Sequence, residues 1–406
     1  MRRFLRPRSI RLEAATICQL KCPSCPTASG EIGRTLRSGF LKFENFKKIV
    51  DENPWVAEIE LSNWGEILLN PDLVKIMAYA WKRSVNLRAE NGVNLNTAPD
   101  EVLEGLVRYR FHSMNCSIDG ASVETYPIYR RKGDFEKVIL HVRKINAFKR
   151  KYGSEFPRLK WQFVAFGHNE HEIAKARQMA KELGMSFYVK LSWDGLYGES
   201  FSPVKDKETV RREVGLEAAT REEYQERYHK VYIRQVCTQL WKHPQVNFDG
   251  RVLGCCVNYW GDFGNAFTEG LAPSLNSEKL EYARAMLMGK KESRTDIPCT
   301  ACSIYKDMQA VKDWVLPQEV EGGRRRTRLL NWMEKKFVGR LKALGRRFAV
   351  ANYKHPVFDF RRSIQQKWKH YYCPLSLNCE AKRGSGARAG GRVGDDRIGS
   401  PASIQR

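Results

Sequence analysis

Cys18-Gln19-Leu20-Lys21-Cys22-Pro23-Ser24-Cys25 places three cysteines, with gaps of three and two, directly after the alternating run Ser9–Thr16, which reads as a β-strand. Three thiolates on one short loop can hold three corners of an iron–sulfur cube, because its soft irons prefer thiolate sulfur. The fourth corner has no local cysteine. Closed four-cysteine sites seal their metal off, so a three-cysteine loop implies an iron left open to a small-molecule cofactor. Alone, the same three residues also describe a zinc knuckle or buried thiols.

Working outward, the chain alternates short β-rich runs with amphipathic segments as far as residue 191. The runs after Ser9–Thr16 are Ala57–Asn63, Val85–Asn91, Ser113–Ile118, Leu159–Phe166 and Met185–Leu191. Helical patterns fill the gaps at Phe43–Asn53, Pro71–Arg83, Pro99–Tyr109, Phe135–Lys151 and Glu170–Leu183. Regular βα alternation implies a parallel sheet with right-handed crossovers, open or curled. Six such units are too few for a closed eight-fold barrel.

At 406 residues the chain is long enough for two or three domains, and no apolar run approaches a membrane span. Nothing at the N-terminus reads as a signal peptide, so a cytoplasmic protein with reduced thiols is expected. Eleven cysteines are many for such a chain, and clusters of them read as ligands. The formal charge of +24 is uneven: residues 318–406 carry 21 Lys/Arg against 7 Asp/Glu, or +14. A basic tail can meet phosphate, an anionic membrane or an acidic partner without identifying the chemistry.

Three further stretches bear on the cysteine loop. Leu61-Ser62-Asn63-Trp64-Gly65-Glu66-Ile67 follows the second run, Glu90-Asn91-Gly92 ends the third, and Cys116-Ser117-Ile118-Asp119-Gly120 follows the fourth, with Tyr126, Arg130, Gly133-Asp134-Phe135 and Val138 beyond. With the Cys18–Cys25 loop, these resemble the radical S-adenosylmethionine (SAM) superfamily. The resemblance implies a partial (β/α)6 TIM-like barrel, a [4Fe–4S] cluster on Cys18, Cys22 and Cys25, and SAM on its open iron. It further implies that Gly65 and Glu66 hold the methionine ammonium, and that Asn91 lies at a turn near SAM. Ser117 and Asp119 would bind ribose hydroxyls or orient an arginine, and Arg130 would bind the SAM carboxylate. Trp64 and Ile67 depart from the family's Gly-Gly-Glu-Pro pattern. Cys116, with no partner at a useful spacing, reads as a buried small hydrophobe. His168, His171 and Glu172 read as a polar helix start rather than a metal site.

Beyond a charged helical linker at 205–229 stands a second cysteine set: Cys237, then Asp249-Gly250-Arg251-Val252-Leu253-Gly254-Cys255-Cys256, then Cys299 and Cys302. Two strands around the Asp-Gly turn would return Cys255 toward Cys237. Four thiolates close a site, and a structural zinc ribbon fits the spacing too. After such a core, Cys-x12-Gly-x4-Cys followed by Cys-x2-Cys resembles the SPASM/twitch auxiliary domain, in its one-cluster twitch form. That implies a second, fully ligated [4Fe–4S] cluster on Cys237, Cys255, Cys299 and Cys302, with Cys256 the alternative to Cys255.

The expected organisation is a core domain at 1–215, a small α+β SPASM/twitch domain with its linker helix at 216–317, a basic amphipathic helical extension at 318–380, and a disordered Gly/Arg/Ser-rich end at 381–406. In the extension, Leu329, Leu330, Met333 and Phe337 share a helical face flanked by Lys and Arg, which suits either a membrane surface or packing on the catalytic body. Cys373 and Cys379 read as incidental.

Functionally, the resemblance implies reductive cleavage of SAM and hydrogen abstraction from an unactivated C–H. A closed auxiliary cluster would carry away an electron, so an oxidoreductase is expected, with an external donor such as flavodoxin or ferredoxin. Lys190 and Asp194, at the end of the sixth run, are the candidate catalytic groups. About ten residues precede the first strand, which favours a small-molecule or glycan-type substrate over a peptide. The alternatives are a peptide maturase, an epimerase or a methyltransferase. A non-catalytic iron–sulfur or zinc module binding nucleic acid through its tail is the remote one.

Overall fold

The computed structural model describes residues 4–192, 201–321 and 327–338. Six parallel strands run β1 (Ser9–Leu12), β2 (Glu58–Glu60), β3 (Asn86–Val93), β4 (Ser113–Ser117), β5 (Arg158–Ala165) and β6 (Ser186–Leu191). They stand side by side in chain order, each pairing parallel with the next. Between them lie the helices Phe43–Glu52, Leu73–Lys82, Asp100–Arg108, Phe135–Tyr152 and Ile173–Glu182. The partial (β/α)6 barrel is therefore present, with strand and helix ends within a few residues of the expected ones.

Alternation along the strands sorts the side chains. Ile10, Leu12, Ile59, Leu87, Met114, Trp161 and Phe163 point to the helices and join one continuous apolar core with Phe46, Ile76, Leu103 and Val142. The intervening positions, Arg11, Glu13, Glu60, Arg88, Glu90, Asn115, Gln162, Tyr188 and Lys190, line the other face with polar groups. These bind one another: Arg88 pairs with Glu58 at 2.6 Å, the Ser113 hydroxyl donates to Glu90 at 2.6 Å, and Tyr188 donates to Gln162. The lumen is thus a polar layer tied together across its strands.

Two further strands, β7 (Gln245–Val246) and β8 (Val252–Gly254), form the hairpin expected around Asp249-Gly250. Gly250 sits at φ 92°, where Asn265 and Phe267 leave no room for a Cβ. The hairpin does not stand apart from the barrel. Its first strand pairs parallel with β1, Arg11 opposite Gln245 and Leu12 opposite Val246, so the second cysteine set is carried on an extension of the same sheet. The linker is two helices, Lys207–Val214 and Arg221–Tyr228, the second capped by the Thr220 hydroxyl.

One local expectation fails. Asn91-Gly92 is not a turn after the third strand but lies inside it, at a register shift between Ala89 and Val93. A bulge there re-aims the residues that follow. Cys116 is fully buried in the core, as a small hydrophobe. Cys373, Cys379 and the 381–406 end lie outside the described residues.

Candidate functional site

The Cys18–Cys25 loop leaves the end of β1 and is held at its root by Gly65. A Cβ there would stand 2.3 Å from the Ala15 carbonyl oxygen, so only glycine lets the two backbones pass. Glu66 donates its own N–H to Ile17 and is almost fully buried. Its carboxylate accepts from the Leu68 N–H at 3.1 Å and the Asn94 N–H at 2.6 Å. Burial raises its pKa to about 7 despite those bonds and the Arg130 charge.

The thiols of the loop lie in an apolar shell of Leu20, Tyr129, Val164, Phe166 and Phe201. Burial, with the Glu66 charge, pushes Cys18 up to about 12; burial pushes Cys22 to about 11 against the pull of Arg130. Free, these thiols stay protonated, so a metal must displace their protons. Two donors aim at the sulfurs: Asn94 Nδ2 at 3.5 Å from Cys18 and Arg130 Nη1 at 3.7 Å from Cys22. Sulfur-only ligands, outer donors to sulfur and dry walls fit an iron–sulfur cluster.

Arg130 is fixed rather than free to swing. Asp119, with no exposure, accepts from its Nε at 2.7 Å and its Nη2 at 2.6 Å, and from the Val164 N–H at 2.8 Å. Burial alone would lower the guanidinium pKa, but Asp119 and Cys22 leave it well raised. Of the two expected roles for Asp119, the structure shows it orienting the arginine. Ser117 ends β4 under Gly92, whose missing Cβ would meet the Ser117 hydroxyl at 2.5 Å. Asn91 turns elsewhere: its Nδ2 donates to Asn63, and Asn63 donates to the Cys256 carbonyl, a chain from β3 to the second cysteine set. Glu170 and Glu172 accept backbone N–H groups of Lys205, Asp206 and Ala121.

Cys237, Cys255, Cys299 and Cys302 line one small cavity whose other walls include Val236, Leu240, Leu253, Leu287 and Ile304. Cys256 does not. Its N–H donates to Gln239 Oε1 at 2.8 Å and its sulfur accepts from Gln239 Nε2 at 3.4 Å. Among the described residues no three cysteine, histidine or acidic side chains converge tightly enough to hold a single metal ion. Four thiols around one apolar-walled cavity are a ligand set that fits an iron–sulfur cube.

Lys190 stands on the polar face of β6, within electrostatic reach of Cys256, Arg221, Asp119 and Arg130. Burial lowers its pKa to about 8, the nearby Cys256 opposes this, and Arg221, Asp119 and Arg130 also act on it. A cavity of about 720 Å³ opens beside the ends of β5 and β6, lined by Phe166, Leu191, Ser192, Arg221, Ile304 and Asp307 among others. Asp194 lies outside the described residues. No pattern in the chain marks Asn94, Asn63 or Gln239, whose partners are remote in sequence.

Residues 237–303 match the family model of the SPASM iron-sulfur cluster-binding domain. No curated protein matches the chain. Among solved structures, Streptococcus suis SuiB bound to S-adenosylmethionine is similar at 13% identity and a TM-score of 0.52, over 74% of this chain and 71% of that one. Hexahistidine-tagged anSMEcpe with bound AdoMet matches at 15% identity and 0.52, over 90% and 100%. SuiB bound to its precursor peptide SuiA matches at 13% and 0.50, over 74% and 70%.

Proposed function

The chain has the partial-barrel fold of radical SAM enzymes and carries a SPASM domain, and from that premise we propose that it oxidises a small polar or glycan-type molecule by radical SAM chemistry. The observation that carries this reading is the 720 Å³ cavity. Its walls run from Phe166, in the shell of Cys22, to Ile304, two residues beyond Cys302. A volume of that order suits a small ligand. Ser192, Thr220, Arg221, Glu222 and Glu226 offer it hydroxyl and charged partners of both signs, as a polyhydroxylated molecule would require.

In this reading Cys18, Cys22 and Cys25 hold a [4Fe–4S] cluster and Cys237, Cys255, Cys299 and Cys302 a closed auxiliary one. When bound, the first cluster with SAM supplies reductive cleavage and hydrogen abstraction from an unactivated C–H, fed by an external donor of flavodoxin or ferredoxin type. Asp119 presents Arg130 in one orientation to the SAM carboxylate. Glu66 offers the ammonium the lone pairs that its two backbone partners leave, and Gly65 keeps the loop root close. Ser117 stands at the end of β4 for a ribose hydroxyl. Asn91 supports the seam toward the auxiliary set. Lys190, on the lumen face of β6 next to the cavity-lining Leu191 and neutral above about pH 8, would take the hydroxyl proton of an alcohol substrate, whose remaining electron the auxiliary cluster would accept. The Tyr129, Phe166 and Phe201 rings keep water from the site.

A second reading, peptide maturation, is favoured by the likeness to SuiB with its precursor peptide. Anaerobic reconstitution followed by SAM turnover under dithionite separates them. Deuterated cyclitols and monosaccharides should pass deuterium into 5′-deoxyadenosine. Transfer from peptides alone would favour maturation, and a reconstituted protein that leaves SAM intact would end both readings.

A further inference from the structure

The helix Arg328–Met333 is packed inside out. Arg328 donates to the carbonyls of Val56, Val50 and Asn53 at 2.8, 2.6 and 3.1 Å. Asn331, 1% exposed, donates to the Ala57 and Ser84 carbonyls, both at 2.8 Å, and accepts from Asn86. Lys335 reaches the Trp81 carbonyl and lies over the Trp81 ring at 4.1 Å. These polar residues, three and four apart, form the buried face, and they cap the loops that lead into β2 and β3.

The apolar residues are left outside. Leu329 is 65% exposed, Leu330 51%, Trp332 42% and Met333 42%. A helix that spends its hydrogen-bonding side chains on the body and leaves leucine, tryptophan and methionine in solvent has reversed the usual arrangement. Phe4, 63% exposed, lies in the segment leading into β1. Large apolar groups gathered at one end of a barrel mark an interaction surface.

Charge decides the occupant. Lys336 lies over Trp332 at 4.6 Å, Arg6 over Trp55 at 5.0 Å and Arg110 over Trp81 at 5.4 Å. Lys82 is exposed beside them, with Glu52 and Glu334 as acidic neighbours and Asp51 already paired with Lys47 and Arg83. In sequence the helix is flanked by Arg324, Arg325 and Arg326 on one side and by Arg340, Lys342, Arg346 and Arg347 on the other. Aromatic and aliphatic groups ringed by lysine and arginine complement the boundary of a bilayer with anionic headgroups. Among the described residues no helix is long and apolar enough to cross a membrane, so the contact would be with the surface.

We propose that the N-terminal rim of the barrel, led by Leu329, Leu330, Trp332 and Met333, docks on an anionic lipid surface. The strand ends that carry the cysteine loop then face away from the bilayer, leaving the cavity open to the aqueous phase. The proposal stands independently of the reaction catalysed.

Flotation of the full-length protein with vesicles of phosphatidylcholine and phosphatidylglycerol tests it, beside vesicles of phosphatidylcholine alone. Binding should require the anionic lipid and weaken several-fold as salt rises from about 0.1 to 0.5 M. Trp332→Ser/Met333→Ser alters only exposed side chains and should weaken binding by about tenfold or more, with every basic residue kept. The proposal is overturned if the parent protein stays unbound or binds both vesicles equally. It is equally overturned if the variant floats like the parent, because the basic tail alone would then explain binding. A dimer in light scattering that the variant breaks, without vesicle binding, would name a second copy as the occupant instead.

Discussion

Replacing Asp119 by asparagine keeps the shape of the side chain and removes its charge. The native carboxylate has no solvent exposure and faces a guanidinium whose side chain is 15% exposed, so water screens little between them. Breaking a buried pair from one side strands the other charge, at a cost of about 3–5 kcal/mol. The asparagine amide also turns hydrogens toward Arg130 Nε or the Val164 N–H, each of which now has an acceptor at 2.7–2.8 Å. Asp119→Asn should therefore lose about 3 kcal/mol or more in urea unfolding of the reduced protein, and bind SAM at least tenfold more weakly in equilibrium dialysis. Arg130→Gln on that background removes the stranded charge, so the double variant should be more stable than the sum of the singles predicts. An Asp119→Asn protein within about 1 kcal/mol of the parent, or strict additivity, would refute the claim that the pair is a buried, mutually dependent unit.

Other outcomes follow from the same geometry. Glu13 is buried against the Trp64 and Gly65 N–H groups, and burial raises its pKa from 4.5 to about 8. A folded pKa above the unfolded one means the associated stability is full below about pH 4.5 and is lost as pH rises through about 8, so Glu13→Gln should flatten that slope in pH-dependent unfolding. Cys255→Ala should remove about half the iron on reconstitution while Cys256→Ala retains it, as iron and sulfide counting will show. Gly65→Ala forces a Cβ onto the Ala15 carbonyl and should cost about 3 kcal/mol or more, with loss of the N-terminal cluster's absorbance. Lys190→Met should leave SAM cleavage intact and cut product formation about a hundredfold, and the parent's product rate should rise with pH through about 8.

The barrel was legible because each of its units obeys two local rules at once. Strands such as Leu159–Phe166 set apolar Leu159, Trp161 and Phe163 at alternate positions, helices such as Glu170–Leu183 carry a 3.6-residue stripe, and Gly184 at φ 66° stops the latter as a helix-ending glycine should. The two cysteine sets were legible as sets, since closely spaced thiols read as ligands, but their spacing alone fits zinc as well, and only their place beside the barrel motifs pointed to iron–sulfur clusters. What could not be read was the joining of the hairpin to β1. Gln245–Val246 is two residues long, and nothing in so short a segment says which of several edges it will meet. The reversed helix was half legible: its apolar stripe shows in the sequence, but the choice of Arg328, Asn331 and Lys335 as the buried side depends on the carbonyls at the feet of β2 and β3, which only the fold supplies.

The site shows the same division at finer scale. Asn91-Gly92 reads as a turn because that dipeptide usually is one. Here Ser62 and Glu60 hold the backbone of Glu90, Asn91 and Gly92 against β2 and keep it in the strand. Across the bulge β3 runs from Ala89 to Val93 while β4 runs only from Met114 to Cys116, and the asparagine that reaches the cysteine loop is Asn94, just past the shift. Asn94 ties three things together: its N–H holds Glu66, its side chain donates to Cys18, and its carbonyl oxygen Oδ1 accepts from Gln19 at 2.9 Å. Asn91, released from that duty, reaches Asn63 and through it the Cys256 backbone. A single displaced register thus gives one asparagine to the first cysteine set and the other to the second, so a change at the bulge should disturb both loops together while a change at either asparagine disturbs one.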